Sequence, residues 1–242
     1  MITPDNLLPF LVDATFNLSF MAMAAGAVFF IAMKNTVLPE HRPAMVVSGV
    51  ILFIAALNYF YMKDIYADSV TTGLGAFPTS FRYIDWILTT PLMLAKFPLV
   101  LGLGKRGRIF MAKLIVIDIC MILFGFFGEI SIGNDSLHYG LFAGGFACWL
   151  IILFLLVRAT SNLPDHFSPE VIKCVKLMVG FVLIGWTIYP LGYILPSFGL
   201  PLDVRELVYN VGDVVNKVGL ALVVYAAGVA LTKQSENSDQ VG

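Results

Sequence analysis

The chain carries little charge. Asp, Glu, Lys and Arg make up 13% of its 242 residues, whereas apolar residues make up 59%. A soluble domain usually holds about twice that charged share. Mean hydropathy is +0.87. These values exclude an ordinary soluble globule and indicate an integral membrane protein. Net charge is −1, so bulk charge offers no argument for a nucleic-acid partner. Cysteine is scarce: Cys120, Cys148 and Cys174 all lie in apolar runs. An odd, scattered set is neither a disulfide framework nor a metal site, and the three read as small buried hydrophobes. His41, His138 and His166 have no partner at ligand spacing, so no metal is expected. No basic residue precedes Lys34. A basic leader region is therefore missing, and the first apolar span is expected to insert as its own signal-anchor.

What is abundant is long apolar sequence. A spanning helix needs about 20 mostly apolar residues. Seven stretches qualify: Leu7 to Met33, Ala44 to Met62, Phe81 to Leu103, Ile109 to Phe127, Leu137 to Val157, Glu170 to Leu195 and Val204 to Leu231. The expected fold is an all-α bundle of seven transmembrane helices, one domain over residues 1–233. The polar residues 234–242 are expected to form a disordered cytoplasmic tail. Connections are short except between the second and third spans. There Lys63 to Pro78 contains Asp64, Asp68, Thr71, Thr72, Gly73 and Gly75, enough for a small hairpin.

Positive charge sets the orientation. The first–second, third–fourth and fifth–sixth connections, with the C-terminal tail and adjoining helix ends, hold Lys34, Arg42, Lys105, Arg106, Arg108, Lys113, Arg158, Lys173, Lys176 and Lys233. The opposite side has only Lys63 and Arg205, beside Asp5, Asp64, Asp68, Glu129, Asp135, Asp203 and Glu206. The N-terminus is expected outside and the C-terminus in the cytoplasm. Odd-numbered spans then run inward.

Charges inside the spans are the main functional signal, because ionisable groups at membrane depth are costly. In the seventh span, Asp213 and Lys217 are four residues apart, about 6 Å along one helix face. They read either as an ordinary buried ion pair or as a lysine carrying a carbonyl cofactor beside its counterion. In the third span, Arg82, Asp85, Thr89 and Lys96 fall on one stripe, because eleven residues make almost three turns. Arg82 is outermost and Lys96 innermost. A cation on Lys217 would need buried anions, which Asp85 and Asp213 supply, with Arg82 balancing them further out. Asp85 is placed to receive a proton on the outward side. Lys96 can snorkel toward the cytoplasm. Alternatively, it is a desolvated amine able to exchange a proton near neutral pH. Asp118 reads as a protonated, hydrogen-bonded carboxyl, and Asp13 is ambiguous. Glu129 and Glu206 read as solvated helix-end charges that could also assist proton exit. Trp86 and Trp186 lie too deep for an interfacial belt. With Tyr83, Trp149 and Tyr189 they fit either core packing or a sandwich around a long, flat apolar ligand. Pro91 and Pro190 can kink their helices near such a ligand.

These residues resemble a known family. Arg82-Tyr83-Ile84-Asp85-Trp86 with Thr89, Thr90 and Pro91, then Trp186 with Tyr189-Pro190, then Asp213 with Asn216-Lys217, are similar to the microbial (type 1) rhodopsins. The resemblance covers all seven spans and is nearest to the proteorhodopsin-like proton pumps. Phe77-Pro78-Thr79, Lys96-Phe97-Pro98 and Arg205-Glu206-Leu207 with Tyr209-Asn210 are similar to the exiguobacterial type with a lysine donor. The resemblance implies all-trans retinal on Lys217 as a Schiff base. It implies Asp85 as primary counterion and proton acceptor, Asp213 as second counterion and Lys96 as donor. Thr89 would support the acceptor by hydrogen bonding, and Arg82 would organise charge toward the exit. The implied pocket is Tyr83, Trp86, Thr90, Met93, Met121, Gly125, Phe142, Trp149, Trp186, Tyr189 and Pro190. Met93 stands where an apolar residue favours green absorption over blue. Phe142 stands where carotenoid-binding relatives have glycine, which argues against a carotenoid antenna.

Two departures stand out. Most such pumps carry a carboxylate where Lys96 stands, so this donor must start neutral or take up its proton transiently. Where the proteorhodopsin-like pattern has a histidine on the second span, this chain has Asn58, which hydrogen-bonds but does not titrate. The expected function is light-driven outward proton pumping, a transport activity and not an enzyme reaction. Expected partners are membrane lipid and protons, with a homo-oligomer left open and the cell membrane as the location. The chief rival is a sensory rhodopsin that signals to a membrane partner. Anion and sodium pumping are disfavoured by Asp85 and Lys96. A ligand-activated seven-helix receptor would not need the charge stripe.

Overall fold

The structure, a computed structural model, describes residues 6–72, 77–131, 133–161, 163 and 166–241. Helices make up its regular structure, and the described residues contain no strand. The helices are α1 (Leu7–Met33), α2 (Arg42–Thr72), α3 (Ser80–Val100), α4 (Gly104–Ile130), α5 (Asp135–Thr160), α6 (Pro169–Leu183), α7 (Ile188–Ile194), α8 (Leu202–Val214) and α9 (Leu220–Val241). A 3-10 turn, Gly185–Thr187, joins α6 to α7, and a π-helical turn, Val215–Gly219, joins α8 to α9. Among the described residues these nine helices therefore form seven rods. Six of these are long and apolar enough to cross a membrane. The exception is α3, whose apolar content is diluted by the buried Arg82, Asp85, Thr89, Thr90 and Lys96.

Local sequence explains the helix ends. Asn134 caps α5 by accepting from the Leu137 amide at 3.1 Å, and Ser168 caps α6 by accepting from Val171. Both satisfy first-turn N–H groups that have no intrahelical partner. Neighbouring rods pack in sequence order from α1 to α5, while α1–α8 and α6–α9 contacts close the bundle. The shared interior holds Phe16, Met23 and Phe30 of α1, Ile51, Leu52 and Tyr59 of α2, Val175 and Met178 of α6, and Leu220 and Val224 of α9, all fully buried. The opposite faces expose Leu18, Val28, Phe53, Val116 and Phe154. Apolar residues on both sides of a rod are what a bundle surrounded by lipid needs.

Three expectations are revised. The second helix does not end near Met62 with a hairpin after it; α2 runs on to Thr72. Tertiary contacts hold this extension: Tyr66 packs on Phe16 and Phe77 and donates to Asp203 at 3.1 Å. Gly73 and Gly75 of the expected hairpin lie outside the described residues, as does Asp5. The polar end is also not an irregular tail from Gln234, because α9 continues to Val241. Gln234 accepts from the Ser168 amide at 2.9 Å and so ties that turn to the start of α6.

The sixth rod, read as one span with a kink at Pro190, is broken into two helices just before it. Pro190 has no N–H for the Trp186 carbonyl four residues back. Within the break, the Asn216 side-chain amide donates to the Gly185 carbonyl at 2.9 Å. A Cβ on Gly185 would collide with the Asn216 side-chain oxygen. Gly185→Ala is therefore expected to lose about 1–3 kcal/mol of stability through overpacking. Thermal unfolding of the variant checks this, and an unchanged midpoint would show that the break absorbs the methyl group.

Candidate functional site

Lys217 lies inside the π-helical turn that interrupts the seventh rod. Such turns contain one extra residue per turn and recur at functional sites. The Lys217 side chain is 1% exposed. Its Nζ lies 2.7 Å from Asp85 Oδ2 and 2.9 Å from Asp213 Oδ2. The third and seventh rods thus bring two carboxylates to one buried amine, in the arrangement that the stripe and the i, i+4 pair suggested.

The two carboxylates are held differently. Asp213 accepts from Tyr59 Oη at 2.9 Å, Tyr189 Oη at 2.7 Å and Trp86 Nε1 at 3.3 Å, in addition to Lys217. Its charge is shared among four donors. Asp85 has Lys217 on Oδ2, while its Oδ1 is buried without a hydrogen-bond partner among the described residues. Thr89 stands one helical turn along α3 from Asp85. Its hydroxyl donates to the Asp85 backbone carbonyl at 2.9 Å, as β-hydroxyl side chains do one turn along a helix. Asp85 therefore keeps an open oxygen.

Arg82 is fully buried and turned toward α8. It donates to Glu206 Oε2 from Nε at 2.9 Å and from Nη2 at 2.8 Å, and to Asn210 Oδ1 at 2.7 Å. Nη1 donates to Tyr59 Oη at 3.0 Å, which links Arg82 to Asp213. The rings of Phe16 and Tyr209 flank the guanidinium at 5.3 and 5.4 Å, a further source of cation stabilisation. Glu206 is only 1% exposed and not a solvated helix-end charge. It also accepts from Thr79 Oγ1 at 2.7 Å and Arg205 Nε at 3.1 Å. Arg205 Nη1 reaches Glu129 at 2.6 Å, and its Nη2 donates to Thr79. Burial is affordable here because each charge meets an opposite one.

On the other side of the amine, Lys96 is 0% exposed, and its Nζ has no hydrogen-bond partner among the described residues. It does not snorkel. Asp118 lies apart, with Oδ2 2.7 Å from the Thr90 hydroxyl. That hydroxyl is also 2.8 Å from the Trp86 carbonyl. One hydroxyl proton cannot serve two acceptors, so the geometry suits an Asp118 that itself carries a proton. Asp13 is partly buried and meets Asn17 in its own helix. Asn58 donates weakly to the Phe81 carbonyl at 3.4 Å and Met62 Sδ at 3.5 Å. It is the next residue, Tyr59, that enters the site. Among the described residues no three metal-ligating side chains converge.

Beside Asp213 lies a cavity of about 100 Å³. Tyr83, Trp86, Thr90, Met121, Gly125, Phe142, Trp149, Trp186, Tyr189 and Pro190 line it, all expected from the sequence. Met93 does not. It is buried in the main apolar core. Ile122, Gly145, Phe146, Tyr193 and Tyr209 also line the cavity and were missed. Helical spacing could have found two of them, because Phe146 follows Phe142 and Tyr193 follows Tyr189 by four residues. His138, which has no partner at ligand spacing in the sequence, stacks on Tyr193 at 4.7 Å, and its Nδ1 is 2.8 Å from the Gly128 carbonyl.

Comparison with known proteins agrees with this arrangement. The green-light absorbing proteorhodopsin of gamma-proteobacterium EBAC31A08 is 31% identical over 224 residues, covering 90% of this chain and 85% of the relative. The crystal structure of Exiguobacterium sibiricum rhodopsin superposes with a TM-score of 0.84 at 37% identity, covering 94% of this chain and 99% of that one. Xanthorhodopsin, described as a light-driven ion pump with dual chromophore, superposes with a TM-score of 0.88 at 27% identity, covering 96% and 97%. The model of the bacteriorhodopsin-like protein family matches residues 10–231, and with a buried lysine between two carboxylates in a helical membrane bundle, this chain belongs to that family and is a microbial type 1 rhodopsin.

Proposed function

We propose that this rhodopsin is a light-driven proton pump that moves protons outward, with retinal on Lys217, Asp85 as acceptor and Lys96 as donor. One observation carries the reading: the water-excluded Lys217 nitrogen stands 2.7 Å from an Asp85 carboxylate whose other oxygen is open. The site suits retinal. Its cavity is walled by aromatic and aliphatic side chains, and Trp86 and Tyr189 belong both to that wall and to the Asp213 cluster. Trp186 also lines it, and its Nε1 is buried without a partner among the described residues. Bound to Lys217 as a Schiff base, retinal supplies visible absorption and a light-driven change of shape.

The residues of the chain do the proton chemistry. Lys217 passes a proton to Asp85 along the existing hydrogen bond. Asp213 remains the fixed anion because four donors hold it. Tyr59 and Arg82 connect that anion to the outer cluster of Glu206, Arg205 and Glu129. Lys96, eleven residues inward of Asp85, lies about 16 Å further along the helix and returns a proton to the Lys217 nitrogen. An amine held away from water and partners can take up and give up a proton without first breaking an ion pair. The excess of Lys and Arg on the connections beside the C-terminus supports an inward-facing C-terminus, which makes transfer from Lys96 toward Asp85 outward. Phe142 fills its part of the cavity wall by stacking on Tyr193 at 5.0 Å, which argues against a carotenoid antenna. The exposed apolar faces are compatible with a homo-oligomer in the bilayer.

The test is illumination of cells expressing the protein and supplied with all-trans retinal, in unbuffered medium. Acidification of the medium that a protonophore abolishes is the expected result. Alkalinisation would reverse the assigned direction. An intact photocycle without any pH change would point to signalling.

A further inference from the structure

We propose that His138 is the last proton-accepting side chain on the outward path, and that its Nε2 atom takes up the proton before water removes it. The inference rests on the pump reading and gives an end to the path that Glu206, Arg205 and Glu129 begin. Those ion pairs lead to a vestibule of about 680 Å³, which Glu129, His138, Tyr193 and Arg205 line.

The ring is fixed in one tautomer. Its Nδ1 lies 2.8 Å from the Gly128 carbonyl oxygen. That oxygen only accepts, so Nδ1 carries the proton of the neutral ring and donates it. The Tyr193 hydroxyl, 3.1 Å from Nδ1, turns its own proton to the His138 carbonyl at 3.3 Å. Stacking of the two rings at 4.7 Å and 24° holds the imidazole plane. The lone pair of the neutral ring is therefore on Nε2. His138 is half-buried. With Nδ1 and one ring face engaged, Nε2 is the nitrogen left for vestibule water.

The elements around the ring each bring a charged or titratable group. α4 brings Glu129, one residue after the Gly128 carbonyl. α8 brings Arg205, α7 brings Tyr193, and α5 itself brings Asp135 and Tyr139. Glu129 is bound to Arg205 at 2.6 Å, so a proton resting on that carboxylate weakens the pair. A proton on Nε2 breaks no hydrogen bond. The cation so formed shares the vestibule with Glu129 and lies at the last carbonyls of α4, which carry partial negative charge. An imidazole changes charge between about pH 5 and 8, so it loads and unloads near neutrality. Release then depends on the pH outside. At about pH 8 the ring is neutral and Nε2 accepts. At about pH 5 the ring already holds its proton, the position is filled, and release slows.

The test uses the retinal-loaded protein in lipid nanodiscs. A pH-indicating dye in the water reads proton release after a flash, while the visible band reads transfer from Lys217 to Asp85. At about pH 8, His138→Gln is expected to delay release about tenfold and to leave the transfer step unchanged. That is less than the about 10²-fold of an enclosed proton carrier, because vestibule water offers a bypass. Added imidazole, a diffusible carrier, should restore release in the variant. The parent should release more slowly as the pH falls from about 8 to 5, and His138→Gln should lose that dependence. In the dark, nitrogen NMR of labelled parent should show a neutral His138 ring protonated at Nδ1, an arm that stands even if the variant does not fold. Parental release and pH profile in His138→Gln, a delay that imidazole does not relieve, or a neutral ring protonated at Nε2 would each overturn the proposal alone. A parent with an intact photocycle and no proton release at any pH would overturn the pump reading and the proposal together.

Discussion

Lys217→Ala protein is expected to form no visible band with all-trans retinal and to give no light-driven pH change. Lys217 is the amine that stands against both carboxylates, so its loss removes the attachment point proposed for retinal. The variant has a second, independent consequence. Asp85 and Asp213 would remain buried without their shared cation, and breaking a buried pair from one side costs about 3–5 kcal/mol. Thermal unfolding of the apoprotein should register that loss. Asp85→Asn added to Lys217→Ala removes one of the stranded charges and should recover much of the stability, but none of the colour. This pattern separates chemistry from folding. A hydroxylamine-sensitive visible band in Lys217→Ala protein would sink the assignment of the lysine, and parental stability would contradict the ion cluster.

The second large effect is expected at Lys96. Proton transfer by a positioned group is worth about 10²-fold or more in rate, so Lys96→Ala should slow return of the proton to the Lys217 nitrogen by about that factor. Transfer from Lys217 to Asp85 should be unaffected, because those groups are already in hydrogen-bond contact. Azide, a small diffusible proton carrier, should restore much of the lost rate in the variant. Flash spectroscopy with and without azide measures both steps. A decay rate equal to that of the parent would remove Lys96 from the donor role. Slowing of both steps to the same degree would indicate a general disturbance of α3 instead.

Residues that share one helix were easiest to read. Asp85 and Lys96 share a stripe because eleven residues make about three turns, and both are buried. Asp213 and Lys217 share a face for the same reason. Partners on different helices were harder. Glu206 looked like a solvated helix end, yet it is buried against Arg82 of another rod and Arg205 beside it. Family likeness drew attention to Asn58, but Tyr59 is the side chain that bridges Asp213 and Arg82. One residue is about 100° of helix rotation, and the rotation of α2 is set by its packing against α1 and α3.

The sequence by itself determined the class, the seven rods, the shared faces of Asp85 with Lys96 and of Asp213 with Lys217, and most of the cavity wall. Hydropathy and helical period are local properties and need no knowledge of neighbours. Only the tertiary structure decided that Asp85 keeps an open oxygen while Asp213 is held by four donors. It also decided that Thr89 turns to the backbone, that Lys96 lacks a partner among the described residues, and that the sixth and seventh rods break opposite one another at Gly185 and Asn216. The physical reason is that a hydrogen bond depends on a few tenths of an ångström and on angle. Such distances between rods are fixed by how the whole bundle packs, not by any one stretch of chain.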